Sequence, residues 1–225
     1  DKIDDVTIYS DKITYYKNEE FVLTDGNSRA VNDDIEIDAD KFNYNKKRNI
    51  LDAKGSVKVD NLKDNYLIYS DEISYRKNEE KIISKKNSKA ITDEIIIDAE
   101  NFNFDRRNNI LNASGNVKID DKIENYLIYS NFITYYKNEN KVITKGKTRA
   151  LLDSSYIFNS KNVILNRNIK EIKSKHNSTI EDDKQNKYKL SSFKYSYEKK
   201  FLKGKNLEII TNYLSDKSDK FYFSS

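Results

Sequence analysis

The chain has no cysteine, proline, methionine or tryptophan, a single histidine, and five glycines in 225 residues. Without cysteine there is no disulfide, no thiolate nucleophile and no zinc–thiolate site, and the redox compartment stays open. One histidine with no cysteine beside it does not make a metal site, so His176 reads as a structural or exposed residue. No stretch approaches the roughly 18 apolar residues that a transmembrane helix needs. Gly-rich phosphate loops, a nucleophile elbow and calcium-binding nonapeptides are all missing. Acidic residues are plentiful, but Asp38/Asp98 and Glu19/Glu79 recur at equivalent positions, which points to structure rather than to an active site. No catalytic residue, metal or cofactor is therefore expected, and the chain reads as non-enzymatic. An excess of one charge is missing too: 41 basic and 37 acidic side chains nearly cancel and are interspersed. That is a solvated surface, not a nucleic-acid footprint.

What is present is apolar content spread thinly. Hydrophobic residues make up 36% and charged residues 35%, and mean hydropathy is −0.89, yet 12% of the chain is Phe and Tyr. A chain this polar and this aromatic buries one face of its elements and wets the other.

The pattern is a repeat. "YSDKITYYKNEE" from Tyr9 returns as "YSDEISYRKNEE" from Tyr69 and "YSNFITYYKNEN" from Tyr129, and "DADKFNYNKKRNILDAKGSVKVD" from Asp38 returns as "DAENFNFDRRNNILNASGNVKID" from Asp98, each step being 60 residues. A half-repeat of about 30 residues shares a small residue followed by two apolar ones: Ser10/Ile13/Tyr15, Ala39/Phe42/Tyr44, Ser70/Ile73/Tyr75, Ala99/Phe102/Phe104, Ser130/Ile133/Tyr135, Ser160/Val163/Leu165 and Ser192/Tyr195/Tyr197. Ser224 opens a further one. Residues 1–225 are thus expected to be a single array, truncated at both ends.

Within each unit apolar and polar residues alternate with period two. Leu51, Ala53, Gly55, Val57 and Val59 share one face, and Leu111, Ala113, Gly115, Val117 and Ile119 repeat it. Alternation disfavours a parallel sheet covered on both faces. Lys17-Asn18-Glu19, Lys77-Asn78-Glu79, Lys137-Asn138-Glu139 and the stretch from Asn45 to Asn49 supply Asn where tight hairpins need positive φ. The expected fold is all-β: antiparallel strands of about five to eight residues stacked as a V-shaped, two-layer β-jellyroll.

Two stripes of the inner face carry smaller residues: Val22, Thr24, Gly26, Ser28 and Ala30, and Val142, Thr144, Gly146, Thr148 and Ala150. Because interiors are close-packed, small residues either accommodate a crease or leave room for an apolar guest. Open stacks also leave bare edge strands, which are either capped by sequence outside this segment or paired with another chain. The basic turns Lys46-Lys47-Arg48 and Arg106-Arg107 either solvate a hairpin or hold an anionic head group at the rim of an apolar groove.

The segment "IDADKFNYNKKRNILDAKGSVKVD" resembles the repeat of the OstA-like lipopolysaccharide-transport domains. The likeness lies in the step Ala39, Asp40, Phe42, Tyr44 with Ala99, Glu100, Phe102, Phe104, and in the step Ala53, Gly55, Val57, Val59 with Ala113, Gly115, Val117, Ile119. It extends from Tyr9 to about Leu152. The late stretch from Tyr197 is most like the end of the N-terminal periplasmic domain of the assembly protein LptD. The resemblance implies a periplasmic, outer-membrane-associated jellyroll of a Gram-negative bacterium that carries lipopolysaccharide acyl chains. It also implies edge-to-edge pairing with other Lpt jellyrolls (LptA- and LptC-like) and with an outer-membrane barrel. On that expectation the groove is lined by Ile13, Tyr15, Phe42, Tyr44, Leu51, Val57, Val59, Ile73, Tyr75, Phe102, Phe104, Leu111, Val117, Ile119, Ile133 and Tyr135. The competing expectation is a structural or adhesin-type repeat stalk with a fully packed interior.

Overall fold

A computed structural model describes residues 6–32, 34–153, 155–215 and 218–223. The half-repeat expected at Ser224 lies outside them. The chain divides into two compact units, Asp1–Ala113 and Ser114–Ser225. The first contains β1 (Thr7–Tyr9), β2 (Lys12–Tyr16), β3 (Phe21–Asp25), β4 (Ser28–Val31), β5 (Ile35–Ala39), β6 (Lys41–Asn45), β7 (Ile50–Asn61), β8 (Tyr66–Arg76), β9 (Lys81–Ile91) and β10 (Ile95–Asp105). The strand β11 (Ile110–Asp121) runs across the boundary. The second unit continues with β12 (Tyr126–Tyr136), β13 (Lys141–Leu152), β14 (Tyr156–Lys161), β15 (Ile164–Asn166), β16 (Glu171–Ser174), β17 (Ser178–Asp182), β18 (Lys187–Leu190), β19 (Ser192–Ser196), β20 (Phe201–Lys205), β21 (Leu207–Ile210) and β22 (Lys220–Phe223). Among the described residues every pairing is antiparallel.

In the first unit the ladders sort into two layers. The first layer joins β1, β4, β5, the second half of β7, the first half of β8, the second half of β9 and the first half of β10. The second joins β2, β3, β6 and the remaining halves of the same long strands. The long strands pass from one layer to the other at register shifts between Lys54 and Val57, Tyr69 and Glu72, and Ala99 and Asn101. The layers are therefore one sheet folded over a crease. Strands of 11 or 12 residues replace the expected five to eight, because the bend is absorbed inside the strand as a bulge instead of ending it. Gly26-Asn27, Gly55-Ser56 and Lys86-Asn87 take positive φ at successive bends. At Gly55, with φ +79, a Cβ would lie 2.9 Å from Cβ of Asp40, so glycine is required there for space as well as for conformation.

The second unit is built the same way. One layer joins the first half of β12, the second half of β13, β14, β17, β18, β21 and β22. The other joins the second half of β12, the first half of β13, β15, β16, β19 and β20.

The turns depart from expectation in one respect. Each Lys-Asn-Glu segment forms a 3-10 turn, and the left-handed residue is the one after it, Glu20, Glu80 or Asn140, not Asn18, Asn78 or Asn138. A two-residue hairpin would have put Asn in that conformation; the extra turn moves the need two positions on. Asn49 and Asn109 do carry positive φ. Successive turns are tied by single backbone hydrogen bonds, in which Lys46, Lys77 and Arg106 N–H donate to the carbonyls of Glu20, Asn49 and Glu80.

Candidate functional site

The inner faces of the two layers meet as a core. Of the 16 expected lining residues, all but Ile13 and Tyr15 are buried, and Val59, Ile119 and Ile133 are completely so. Each fully buried side chain of this size contributes about 1.5–3 kcal/mol. The interior of each unit is filled by its own side chains. Ile13 and Tyr15 face the same side, opposite Thr24 and Val22, but are about half exposed (49% and 51%) because β2 pairs on one side only. In the second unit Phe221 and Phe223 on β22 stand opposite Ile209 and Leu207 and are 49% and 56% exposed. The apolar inner face is thus uncovered at these edge strands.

The small stripe is the crease. Thr24 and Ser28 hydroxyls are 2.5 Å apart, Phe42 N–H donates to Thr24 Oγ1 (2.7 Å), and Ser28 donates to the Asp40 carbonyl (3.2 Å). Ser84 and Ser88 repeat this at 2.7 Å, with Phe102 N–H on Ser84. Thr144 and Thr148 repeat it again at 2.6 Å, with Val163 N–H on Thr144. At each bend the backbone ladder is interrupted, and a buried hydroxyl takes over the unpaired groups. His176 lies at such a bend, exposed, within 2.9 Å of Asn162 Nδ2.

Opposite the crease, among the described residues, the layers are joined by side chains. In the first unit Tyr66 packs edge-on against Phe104 with ring centroids 5.3 Å apart, and Asn61 Nδ2 donates to Tyr66 Oη (3.1 Å). Burial pushes the Tyr66 hydroxyl up to about 12, with Arg106 and Asn61 pulling against it. In the second unit Arg167 Nε meets Asp121 Oδ2 at 2.7 Å, both side chains being almost wholly buried. Tyr156 and Phe158 pack against Tyr195 and Phe193 across the same seam. Tyr126 and Tyr197 lie beside the buried pair, and burial holds both hydroxyls well above the ordinary tyrosine value.

The five rim cations separate. Lys46 lies over the Tyr15 ring (5.8 Å) and Arg106 over the Tyr75 ring (6.0 Å), the latter also donating to Tyr75 Oη (3.2 Å). Arg107 pairs with Glu80 (3.2 Å), whereas Lys47 and Arg48 are exposed. Asp121 and Arg167 were not among the expected site residues. The signal for them in the sequence is the exchange of Asn61 for Asp121 within a repeated segment.

Among the described residues no group of His, Cys, Asp and Glu is gathered to hold a metal ion. No helix of those residues is long and apolar enough to cross a membrane, which leaves strands out of account. What the fold defines is an all-β repeat array of creased, two-layer antiparallel units.

Neither a family model nor a curated protein matches the chain. A solved structure similar to part of it is LptH of Pseudomonas aeruginosa, described as the LptA-homologous periplasmic component of a lipopolysaccharide transport device. The likeness is 13% identity and a TM-score of 0.46, covering 49% of this chain and 82% of that one.

Proposed function

We propose that the chain is a non-enzymatic periplasmic lipid conduit of a Gram-negative bacterium, passing lipopolysaccharide acyl chains between its layers toward the outer membrane. One observation carries the reading. The inner face is apolar between the crease and the seam, hinged along one side by backbone and hydroxyl bonds, closed on the other by side chains, and uncovered at edge strands where Ile13, Tyr15, Phe221 and Phe223 are exposed. A packed domain with no guest has no need of an apolar face left bare at its edges. The outer edges of β1, β2, β20 and β22, which pair on one side only among the described residues, suit pairing with further jellyrolls of the same kind, or with a periplasmic extension of an outer-membrane barrel. The repeat steps around Phe42 and Phe102 support the OstA-like assignment, and the stretch after Tyr197 its LptD-like form.

A structural stalk is the second reading, and the filled interior favours it. Photocrosslinking in cells separates the two. A photoreactive residue at Phe102 or Val117 is expected to capture lipopolysaccharide, while one at the outward Lys118 does not. Labelling confined to Lys118 would sink the conduit and leave the stalk.

A further inference from the structure

In the first unit most charged residues that stand opposite one another across a ladder differ in sign. Asp38 faces Lys58, Glu72 lies between Lys54 and Lys85, and Asp98 faces Lys89. At the free end of the second unit this pattern is broken. On the outer face of its second layer Lys173 of β16 stands opposite Lys194 of β19, and Lys194 stands opposite Lys203 of β20. Like charges directly across a ladder repel, so the fold gains nothing from this row. Nor does the repeat impose it. Where Leu51, Tyr75 and Ile82 make the inner row that Ile172, Tyr195 and Leu202 make here, the outer row beside it is Asp52, Ser74 and Ile83.

The row is the centre of a larger excess. Lys205 follows on β20, Lys199 and Lys200 stand in the turn before it, and all six lysines are exposed. The carboxylates set among them are Glu171, which Lys173 and Lys194 share, and Glu198 in the same turn, which leaves an excess of four positive charges. Lys203 and Lys205 have no ion pair among the described residues. Apolar groups lie on the same face: Phe201 at its edge is 61% exposed, and the row continues inward from Lys173 through the half-buried Ile164 and Ile143. A strand added to the free edge of β20 would meet Lys203 and Lys205, but Lys173 stands two strands further in, about 10 Å away. A flat anionic surface laid on the face meets the whole row, and an exposed aromatic ring beside lysines suits the boundary between head groups and acyl chains. We propose that this outer face of the second unit docks on an anionic phospholipid bilayer, with the lysines on the lipid head groups. The proposal goes beyond the conduit reading and stands whether or not the interior takes a guest.

The test is co-flotation of the full chain with vesicles of equal parts phosphatidylglycerol and phosphatidylcholine, beside vesicles of phosphatidylcholine alone and soluble polyglutamate. The chain is expected to float with the anionic vesicles and not with the neutral ones. A lysine at an anionic surface is worth about fivefold in binding, so Lys194→Gln and Lys203→Gln together should weaken it about tenfold or more. Lys12→Gln with Lys85→Gln removes the same charge from the outer face of the first unit and should change binding about twofold or less, since charges beyond the screening length contribute little. Equal losses in the two double variants overturn the proposal, because they would mark attraction to the net charge of the chain. Flotation with the neutral vesicles to the same extent overturns it as well. So does binding of polyglutamate without binding of vesicles, which would assign the face to an acidic protein.

Discussion

The crease and the seam close the same interior by different means. At the crease the chain itself crosses between layers, and Thr24, Ser84 and Thr144 accept the backbone N–H groups that the bend leaves without a ladder partner. At the seam no strand crosses, and the layers are held by ring contacts and a few polar pairs such as Asn61–Tyr66 and Asp121–Arg167. Opening the crease would strand buried donors, which is costly. Opening the seam exchanges side-chain contacts for water or for a guest. A sheet folded in this way has a built-in hinge and a built-in mouth, and the mouth differs between units. The first is held by aromatic and neutral hydrogen-bonded contacts and by Arg106 on the Tyr66 and Tyr75 hydroxyls, the second by a buried ion pair.

That difference is sharpened most by exchanging the two loop caps. Asp121→Asn leaves Arg167 buried without its carboxylate, and removing one partner of such a pair costs roughly 3–5 kcal/mol. Asn61→Asp places a carboxylate beside the Tyr66 hydroxyl, which Arg106 also contacts, and should change stability by no more than about 1 kcal/mol. Urea denaturation of the two variants checks the contrast. Equal losses would mean that the two seams are energetically alike, and the comparison between units would collapse.

The hinge is probed by its glycines. Gly55→Ala and Gly146→Ala both place a side chain at positive φ (+79 and +85), but only at Gly55 does the new Cβ run into a neighbour, Asp40. Nothing lies within 4 Å at Gly146. The expected losses are about 2–3 kcal/mol at Gly55 and about 1 kcal/mol at Gly146. Similar losses at both positions would show that the backbone conformation, and not the approach of Asp40, makes glycine necessary.

The hinge was far more legible in the sequence than the mouth. Period-two alternation through Leu51, Ala53, Val57 and Val59 marks the inner face, and Gly26 and Gly146 stand in the stripes for which a crease is one of the two readings; Gly55, expected on the inner face, sits at a bend instead. The small stripe at Thr24 and Ser28 was ambiguous between room and crease, since composition does not show that a hydroxyl is occupied by a backbone N–H. Strand length was underestimated because a bulge interrupts the pattern without ending the strand. The seam was nearly invisible. Asp121 and Arg167 are residue types normally found in solvent, and only the register that brings the loop after β11 against the turn after β15 shows them to be a buried pair. Arg106 reads as basic in the sequence, but its bonds to the Tyr66 and Tyr75 hydroxyls depend on strand register.

The smallest effect is expected where the layers are not involved. Glu171 sits at the start of β16 on the outer face and accepts from Lys173 (3.1 Å) and Lys194 (2.5 Å), both in its own layer. Burial pushes its carboxyl up, but the two ammonium groups more than offset this and hold it below the ordinary 4.5. A carboxylate depressed by folding contributes stability above that value and loses it as pH falls below. Glu171→Gln should therefore lower stability at pH 7 by roughly 0.5–1 kcal/mol, the lysines being exposed enough for solvent to screen the pairs. The deficit should shrink as pH falls from 7 toward 3. Thermal melts at the two pH values test this. A deficit that is the same at both would assign Glu171 to packing instead of charge.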